Sequence, residues 1–249
     1  MIIYLHMHKC AGTSVIRSAL ASGLRLPAVH KNGNLLAGDG SPLKYRGMVR
    51  DDLVALLEQQ IGAGVEFMAM EWDFPRWAMF EDRTDLRFFT TLREPLARAI
   101  SNFKMDKVAG WIDRDISFTH YINGDALYRS DNYYVTILGQ LWPKDTATPA
   151  DLDHALAVLA QFEGVIVVEQ GNMRDMLARF GIAPKERRFN TFDADAARAE
   201  LGDDRHLWVS QPEIRDFIAR NALDFALYRH FTRAIRLADR PTQKETAYG

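Results

Sequence analysis

Short apolar runs recur along the chain, each followed by a stretch whose apolar residues repeat every three or four positions. That order predicts βα units and a mostly parallel sheet. The first run is Ile2-Ile3-Tyr4-Leu5, continuing to Met7, and it gives way at Gly12-Thr13-Ser14 to a helix carrying Ile16, Ala19 and Leu20 on one face. A second helix is expected from Asp52 to Ile61, with Leu53, Leu56, Leu57 and Ile61 as its stripe. Strands follow over 65–70 (VEFMAM) and 86–92 (LRFFTTL). Pro95 then stands at a first helical position, where its missing N–H costs nothing. Leu96, Ala99, Ile100 and Phe103 form the apolar face of that helix, and Arg98 and Lys104 are assigned to its solvated side.

The middle of the chain, from Gly110 to Asp151, is less regular and rich in Tyr, Asp and Asn. Loops there suit ligand recognition. A further apolar run, Val165-Ile166-Val167-Val168, ends at Glu169 and leads into a helix through Met173, Met176 and Leu177 that Gly181 stops. Ser210 and Glu213 have capping-box spacing for one last helix, with Ile214, Phe217, Ile218, Phe225 and Tyr228 as its stripe. No internal repeat or linker divides the pattern, so residues 1–238 are expected to form one α/β domain. The polar, aperiodic residues 239–249 are expected to form a frayed tail.

Composition narrows the function classes. Lys and Arg total 31 against 33 Asp and Glu, so no general attraction to nucleic acid or anionic membrane is expected, and any anion site must be a local cluster. One cysteine, Cys10, rules out an intramolecular disulfide framework and a cysteine-rich zinc site. The opening MIIYLHMHKC shows no basic region leading a long apolar run, and nothing reaches the roughly 20 apolar residues that span a bilayer. These features lead to an expectation of a soluble, cytoplasmic protein.

Chemistry concentrates in His8-Lys9-Cys10-Ala11-Gly12-Thr13-Ser14, between the first strand and the first helix. A small-residue turn opening a helix offers backbone N–H groups and the positive dipole end to an anion. Thr13 and Ser14 add hydroxyls and Lys9 a full charge, which makes a phosphate cradle. It is not a Walker A loop, since Met7 stands where that pattern has its first Gly and Thr13 where it has Lys. No apolar strand ends in the Asp that would hold Mg²⁺. A phosphate ester handled without metal is the ligand class this loop fits. His6 and His8 have the H-x-H spacing also found in metal hydrolases, but the other histidines do not follow apolar strands, and no metal is expected.

HMHKCAGTS resembles the 5′-phosphosulfate loop of sulfotransferases, in particular the carbohydrate (family 2 type) sulfotransferases, in which a strand is followed by Lys-x-x-Gly-Thr-Ser. The segment 90–103, TTLREPLARAISNF, is similar to that family's 3′-phosphate segment. There an Arg ends a strand, an acidic residue and Pro open a helix, and a Ser follows eight residues after the Arg. Asp131-Asn132-Tyr133-Tyr134 with Leu138-Gly139, Val167-Val168-Glu169, Asn190-Thr191 and the run 221–228 (NALDFALY) are similar to later family segments, in the same order.

The resemblance implies a P-loop NTPase-like sulfotransferase fold and 3′-phosphoadenosine 5′-phosphosulfate as donor. It implies donor contacts from Lys9, Cys10, Ala11, Gly12, Thr13 and Ser14 at the 5′ end, and from Arg93 and Ser101 at the 3′ phosphate. The side chain of Cys10 itself is expected to pack in the loop. Lys9 would neutralise charge on the leaving phosphate oxygen, and Glu71, just past the strand ending at Met70, would take the acceptor's proton, with Asp73 as second candidate. A carbohydrate or another small hydroxylated molecule is the expected acceptor, and Trp111, Tyr121, Tyr128, Tyr133 and Tyr134 suit stacking on rings, a dimer contact or core packing. Two alternatives stay open: a Mg²⁺-dependent P-loop kinase or NTPase, and an inactive nucleotide-binding protein.

Overall fold

The computed structural model describes residues 1–142, 145–184 and 205–238. Asn190, Thr191 and the tail from 239 to 249 lie outside these residues. Six strands form one sheet: β1 (Ile2–Leu5), β2 (His30–Lys31), β3 (Asn34–Leu35), β4 (Phe67–Met70), β5 (Arg87–Leu92) and β6 (Gly164–Val167), in the order β2-β3-β4-β1-β5-β6. All pairings are parallel except the β2–β3 hairpin. The helices are α1 (Gly12–Ala21), α2 (Arg50–Gly62), α3 (Pro95–Val108), α4 (Phe118–Ile122), α5 (Tyr133–Leu138), α6 (Pro149–Ala160), α7 (Met173–Arg179), α8 (Gln211–Arg220) and α9 (Ala222–Ala238). The protein is an α/β fold around a mostly parallel sheet, as the strand–helix alternation implies.

Every residue of β1, β4 and β6 is buried, because helices cover both faces. Alternate residues serve the two layers. Ile3, Leu5, Met68, Met70 and Phe88 pack with Leu53 and Leu57 of α2 and with Val135, Val158 and Leu159 of α5 and α6. Ile2, Tyr4, Phe67, Ala69 and Phe89 pack with Val15, Ile16 and Ala19 of α1 and Leu177 of α7. A third cluster, from Phe103, Phe118, Tyr121 and Phe217, joins α3, α4 and α8. The strands of the parallel run end at one edge, and Met7, Glu71, Arg93 and Glu169 follow β1, β4, β5 and β6 there. Among the described residues, no helix is long and apolar enough to cross a membrane.

Three expectations need correction. Leu20 is exposed, while Val15 shares the buried face with Ile16 and Ala19. At 100° per residue Leu20 lies about 100° from the middle of that face. Arg98 is fully buried rather than solvated: its guanidinium lies 4.1 Å from the Tyr133 ring centre and donates to the Tyr128 carbonyl at 3.0 Å. The single last helix is two, α8 and α9, divided at Asn221, and Ile218 of the expected stripe is exposed. The Ser210–Glu213 capping box opens α8 as expected.

Asn221 has a tertiary reason to interrupt the helix. Its Oδ1 accepts from the Asn132 N–H at 2.8 Å, and its Nδ2 donates to the Phe217 carbonyl at 2.9 Å. Asn132 is held left-handed at φ 49, and its Oδ1 accepts from the N–H groups of Leu223 and Asp224. Asp224 in turn accepts from the Tyr134 and Val135 N–H groups, both at 3.1 Å, and so caps α5. This closed exchange fixes α5 against α9.

Burial pushes the Asp224 carboxyl up to about 6, although the Tyr134 and Val135 N–H groups pull the other way. A folded pKa above the ordinary carboxylate value means that the native state binds this proton more tightly. Its contribution to stability therefore declines as pH rises from about 4 to about 6 and is constant above that. Urea titrations across this window should show that contribution as the difference between the wild type and Asp224→Asn. Parallel pH dependences for the two proteins would contradict the assignment.

Candidate functional site

The loop between β1 and α1 turns through two left-handed residues, Lys9 at φ 63 and Ala11 at φ 64, on either side of Cys10. Left-handed geometry costs a non-glycine residue about 1–2 kcal/mol, so the surrounding contacts must hold it. Backbone turned in this alternating way makes neighbouring N–H groups converge, as in anion-binding nests. Cys10 N–H donates to the Met7 carbonyl, and those of Ser14 and Val15 donate to the Ala11 carbonyl. The N–H groups of Ala11 and Gly12, at the mouth of α1, have no acceptor among the described residues. Thr13 and Ser14 follow in the first turn.

Cys10 is fully buried, with its sulfur 3.3 Å from the Tyr134 hydroxyl. Burial raises its thiol to about 11, so it is a packing group whose only route to a ligand is through the backbone.

Lys9 and Arg93 meet across this loop. Arg93 Nη1 lies 3.5 Å from the Lys9 carbonyl oxygen. The Lys9 amine reaches the Met105 sulfur, a weak acceptor, and its pKa is lowered by burial and then by the Arg93 charge. Arg93 does not pair with Glu94, whose side chain instead caps α3 by accepting from the Ala97 N–H at 2.6 Å. Its partner is Glu169, at a loose 3.8 Å from Nε, and this buried Nε makes no hydrogen bond. Ser101 is half-buried on α3, and its hydroxyl has no partner among the described residues.

Two tyrosines of α5 hold these parts in place. The Tyr133 hydroxyl accepts from the His8 N–H at 2.9 Å. The Tyr134 hydroxyl accepts from the Arg93 N–H at 3.1 Å and donates to the Arg93 carbonyl at 2.6 Å. Both tyrosines are buried, as is Tyr121; Trp111 is exposed, and Tyr128 lines a cavity.

That cavity, of about 220 Å³, is walled by His8, Lys44, Glu71, Trp72, Tyr128 and Tyr133 among others. Glu71 is set by its N–H donating to Asn34 Oδ1 at 2.6 Å, so the β2–β3 hairpin positions it. One carboxylate oxygen is 2.9 Å from His8 Nδ1 and the other 3.2 Å from His6 Nδ1. The His6 contact has ion-pair distance without hydrogen-bond alignment, since both of its atoms are unpartnered by geometry. Burial works to raise the Glu71 pKa, and the two imidazoles outweigh it, holding the carboxyl well below the usual carboxylate range. Asp73 is elsewhere. Its oxygens accept from the Arg46 N–H at 2.7 Å and the Phe74 N–H at 3.0 Å, and it does not wall the cavity. Among the described residues, no group of three or more His, Cys, Asp or Glu side chains is arranged to hold a metal ion.

No protein-family model and no curated protein matches this chain.

The structure thus brings Lys9, the 10–14 loop, Arg93 and Glu71 to the one sheet edge, with Ser101 farther along α3. Sequence reasoning missed the Glu71 clasp by His6 and His8, and the Tyr133–Tyr134 support. H-x-H after a strand was the available signal, but the carboxylate that answers it lies more than 60 positions away.

Gly12 is required by this clasp. A Cβ there would fall 1.7 Å from His6 Nε2. Gly12→Ala should therefore expel the His6 ring and destabilise the fold by about 1–3 kcal/mol in urea denaturation, as overpacking does. Wild-type stability for this variant would contradict the close approach.

Proposed function

We propose that the protein is a sulfotransferase that moves a sulfuryl group from 3′-phosphoadenosine 5′-phosphosulfate to an acceptor hydroxyl. The observation that carries this reading is the meeting of Lys9 and Arg93. Two cations held close, the amine in direct contact with a weak sulfur acceptor and the guanidinium with a loose carboxylate, beside N–H groups at a helix mouth, suit a ligand with phosphate groups. A donor with a 5′ phosphosulfate and a separate 3′ phosphate divides naturally between them. The loop from Lys9 to Ser14 takes the 5′ end, and Arg93 with Ser101 takes the 3′ phosphate, Arg through its planar fork of donors.

Chemistry follows from placement. The acceptor hydroxyl enters the cavity beside the loop and attacks sulfur in line with the departing 5′-phosphate oxygen. Lys9 and the loop amides stabilise the charge that grows on that oxygen, a preorganised electrostatic effect. The acceptor's proton leaves through the acid–base group on the cavity wall, where Glu71 stands. Aromatic walls from Trp72, Tyr128 and Tyr133 suit a carbohydrate or another small hydroxylated ring as acceptor.

Calorimetric titration tests the donor site. The protein should bind 3′-phosphoadenosine 5′-phosphate without divalent metal, and about ten- to over a hundredfold more tightly than AMP, since a charge-assisted contact is worth about 1.5–3 kcal/mol. Equal affinities would remove the role given to Arg93 and Ser101.

Substitutions separate the two ends of the donor. Arg93→Ala should abolish that preference and leave AMP binding nearly unchanged. Lys9→Ala should depress sulfate transfer more than donor binding, because its charge matters most as the leaving oxygen becomes negative. Normal turnover in Lys9→Ala would refute the leaving-group role.

A further inference from the structure

His8 stands where a proton must go. Its ring lines the cavity, its Nδ1 is 2.9 Å from Glu71 Oε1, and its backbone N–H is fixed by the Tyr133 hydroxyl. The ring also stacks on Tyr128, with centroids 4.8 Å apart and planes 28° from parallel. Three contacts thus set its position and tilt. An ionised carboxylate only accepts, so Nδ1 carries the hydrogen and Nε2 keeps its lone pair. That Nε2 makes no hydrogen bond to the described residues and is not sealed from solvent.

We propose that His8 Nε2 is the general base for the acceptor hydroxyl, and that Glu71 is a positioning residue that fixes the His8 tautomer and stabilises the imidazolium. The inference rests on the sulfuryl-transfer function and deepens it by naming the atom that takes the proton. In the step, the acceptor oxygen forms a bond to sulfur as the bond from sulfur to the 5′-phosphate oxygen breaks. The breaking bond's electron pair stays on the phosphate. The hydroxyl proton moves to His8 Nε2 and is later lost to water. Glu71 is poorly suited to take that proton itself, since its carboxylate is already clasped by two imidazoles. The arrangement follows the logic by which a buried carboxylate orients a catalytic histidine.

Other groups that bear on the His8 charge are His6 on the second Glu71 oxygen, Lys44 across the cavity, the Tyr128 and Tyr133 hydroxyls, and Lys9 next in the chain. Of these contacts, the direct bond from Glu71 is the strongest stabilisation of a protonated ring. Losing it removes the acceptor that favours the protonated ring.

The test combines histidine ¹⁵N NMR with sulfate release from 3′-phosphoadenosine 5′-phosphosulfate, measured with water and then with simple sugars and phenols as acceptors. Wild-type His8 should be the Nδ1–H tautomer. The acidic limb of the rate profile should have its midpoint at the pH where His8 titrates by NMR, and Glu71→Gln should move both downward together. His8→Gln should lose about 10²–10⁴-fold in rate while keeping its affinity for 3′-phosphoadenosine 5′-phosphate. An Nε2–H tautomer overturns the proposal, as does wild-type turnover in His8→Gln. A limb that stays put in Glu71→Gln also overturns it. Failure of the wild type to bind 3′-phosphoadenosine 5′-phosphate would sink the sulfotransferase function instead, and the NMR result would still decide the tautomer.

Discussion

The hydroxyl of Tyr134 ties the phosphate-type loop to the strand end that bears Arg93. It accepts from the Arg93 N–H, donates to the Arg93 carbonyl and touches the Cys10 sulfur, all from a fully buried position. Without it, the turn after β1 and the turn after β5 would share, beyond the sheet beneath them, the long contact from Arg93 Nη1 to the Lys9 carbonyl. With it, two cationic segments are held at fixed separation, although their charges repel. The tyrosine is itself held: α5 is capped by Asp224, whose helix α9 is interlocked through Asn132 and Asn221. Support for the site thus runs from the far end of the chain, which explains why a short six-residue helix is buried along its whole length.

Like charges brought together are costly unless the site has a use for them. Lys9 and Arg93 lie close together, the Lys9 amine on the weak Met105 sulfur acceptor and Arg93 beside one loose carboxylate, Glu169. Left-handed backbone at Lys9 and Ala11 adds strain at the same place. Both features are natural in a loop shaped for an anion and hard to explain as packing. Beside it lies the opposite arrangement, a carboxylate clasped by two imidazoles on the wall of a small aromatic cavity. The proposed transfer to a hydroxyl would use both halves of the edge, one for negative charge and the other for moving a proton.

The parallel strands β1, β4, β5 and β6 and the edge they share were legible in the sequence because apolar runs and junction residues are local signals, whereas the β2–β3 hairpin, two residues to a strand, carries no such run. Ile2–Leu5 and the strand into Glu71 each show a run of apolar side chains ending at a polar residue, and the strand into Arg93 shows β-branched and aromatic residues ending at one. Arg98 was illegible, since a charged residue on an amphipathic helix normally faces water; its burial depends on tertiary partners such as the Tyr133 ring and the Tyr128 carbonyl. The break at Asn221 was hidden for a similar reason. Apolar periodicity continues through it, and the interruption comes from hydrogen bonds to Asn132, about 90 positions earlier. Glu71 was found by its place after a strand, but its clasp by His6 and His8 depends on the adjacency of β1 and β4, which no local pattern states.

The most direct measurement is a crystal structure of the protein with 3′-phosphoadenosine 5′-phosphate. The 5′ phosphate should lie against the Ala11 and Gly12 N–H groups and the Lys9 amine. The 3′ phosphate should lie on Arg93 and Ser101, with the cavity beside Glu71 and His8 left open to an acceptor. A nucleotide bound elsewhere, or one whose 3′ phosphate makes no contact with Arg93, would contradict the two-ended anion site.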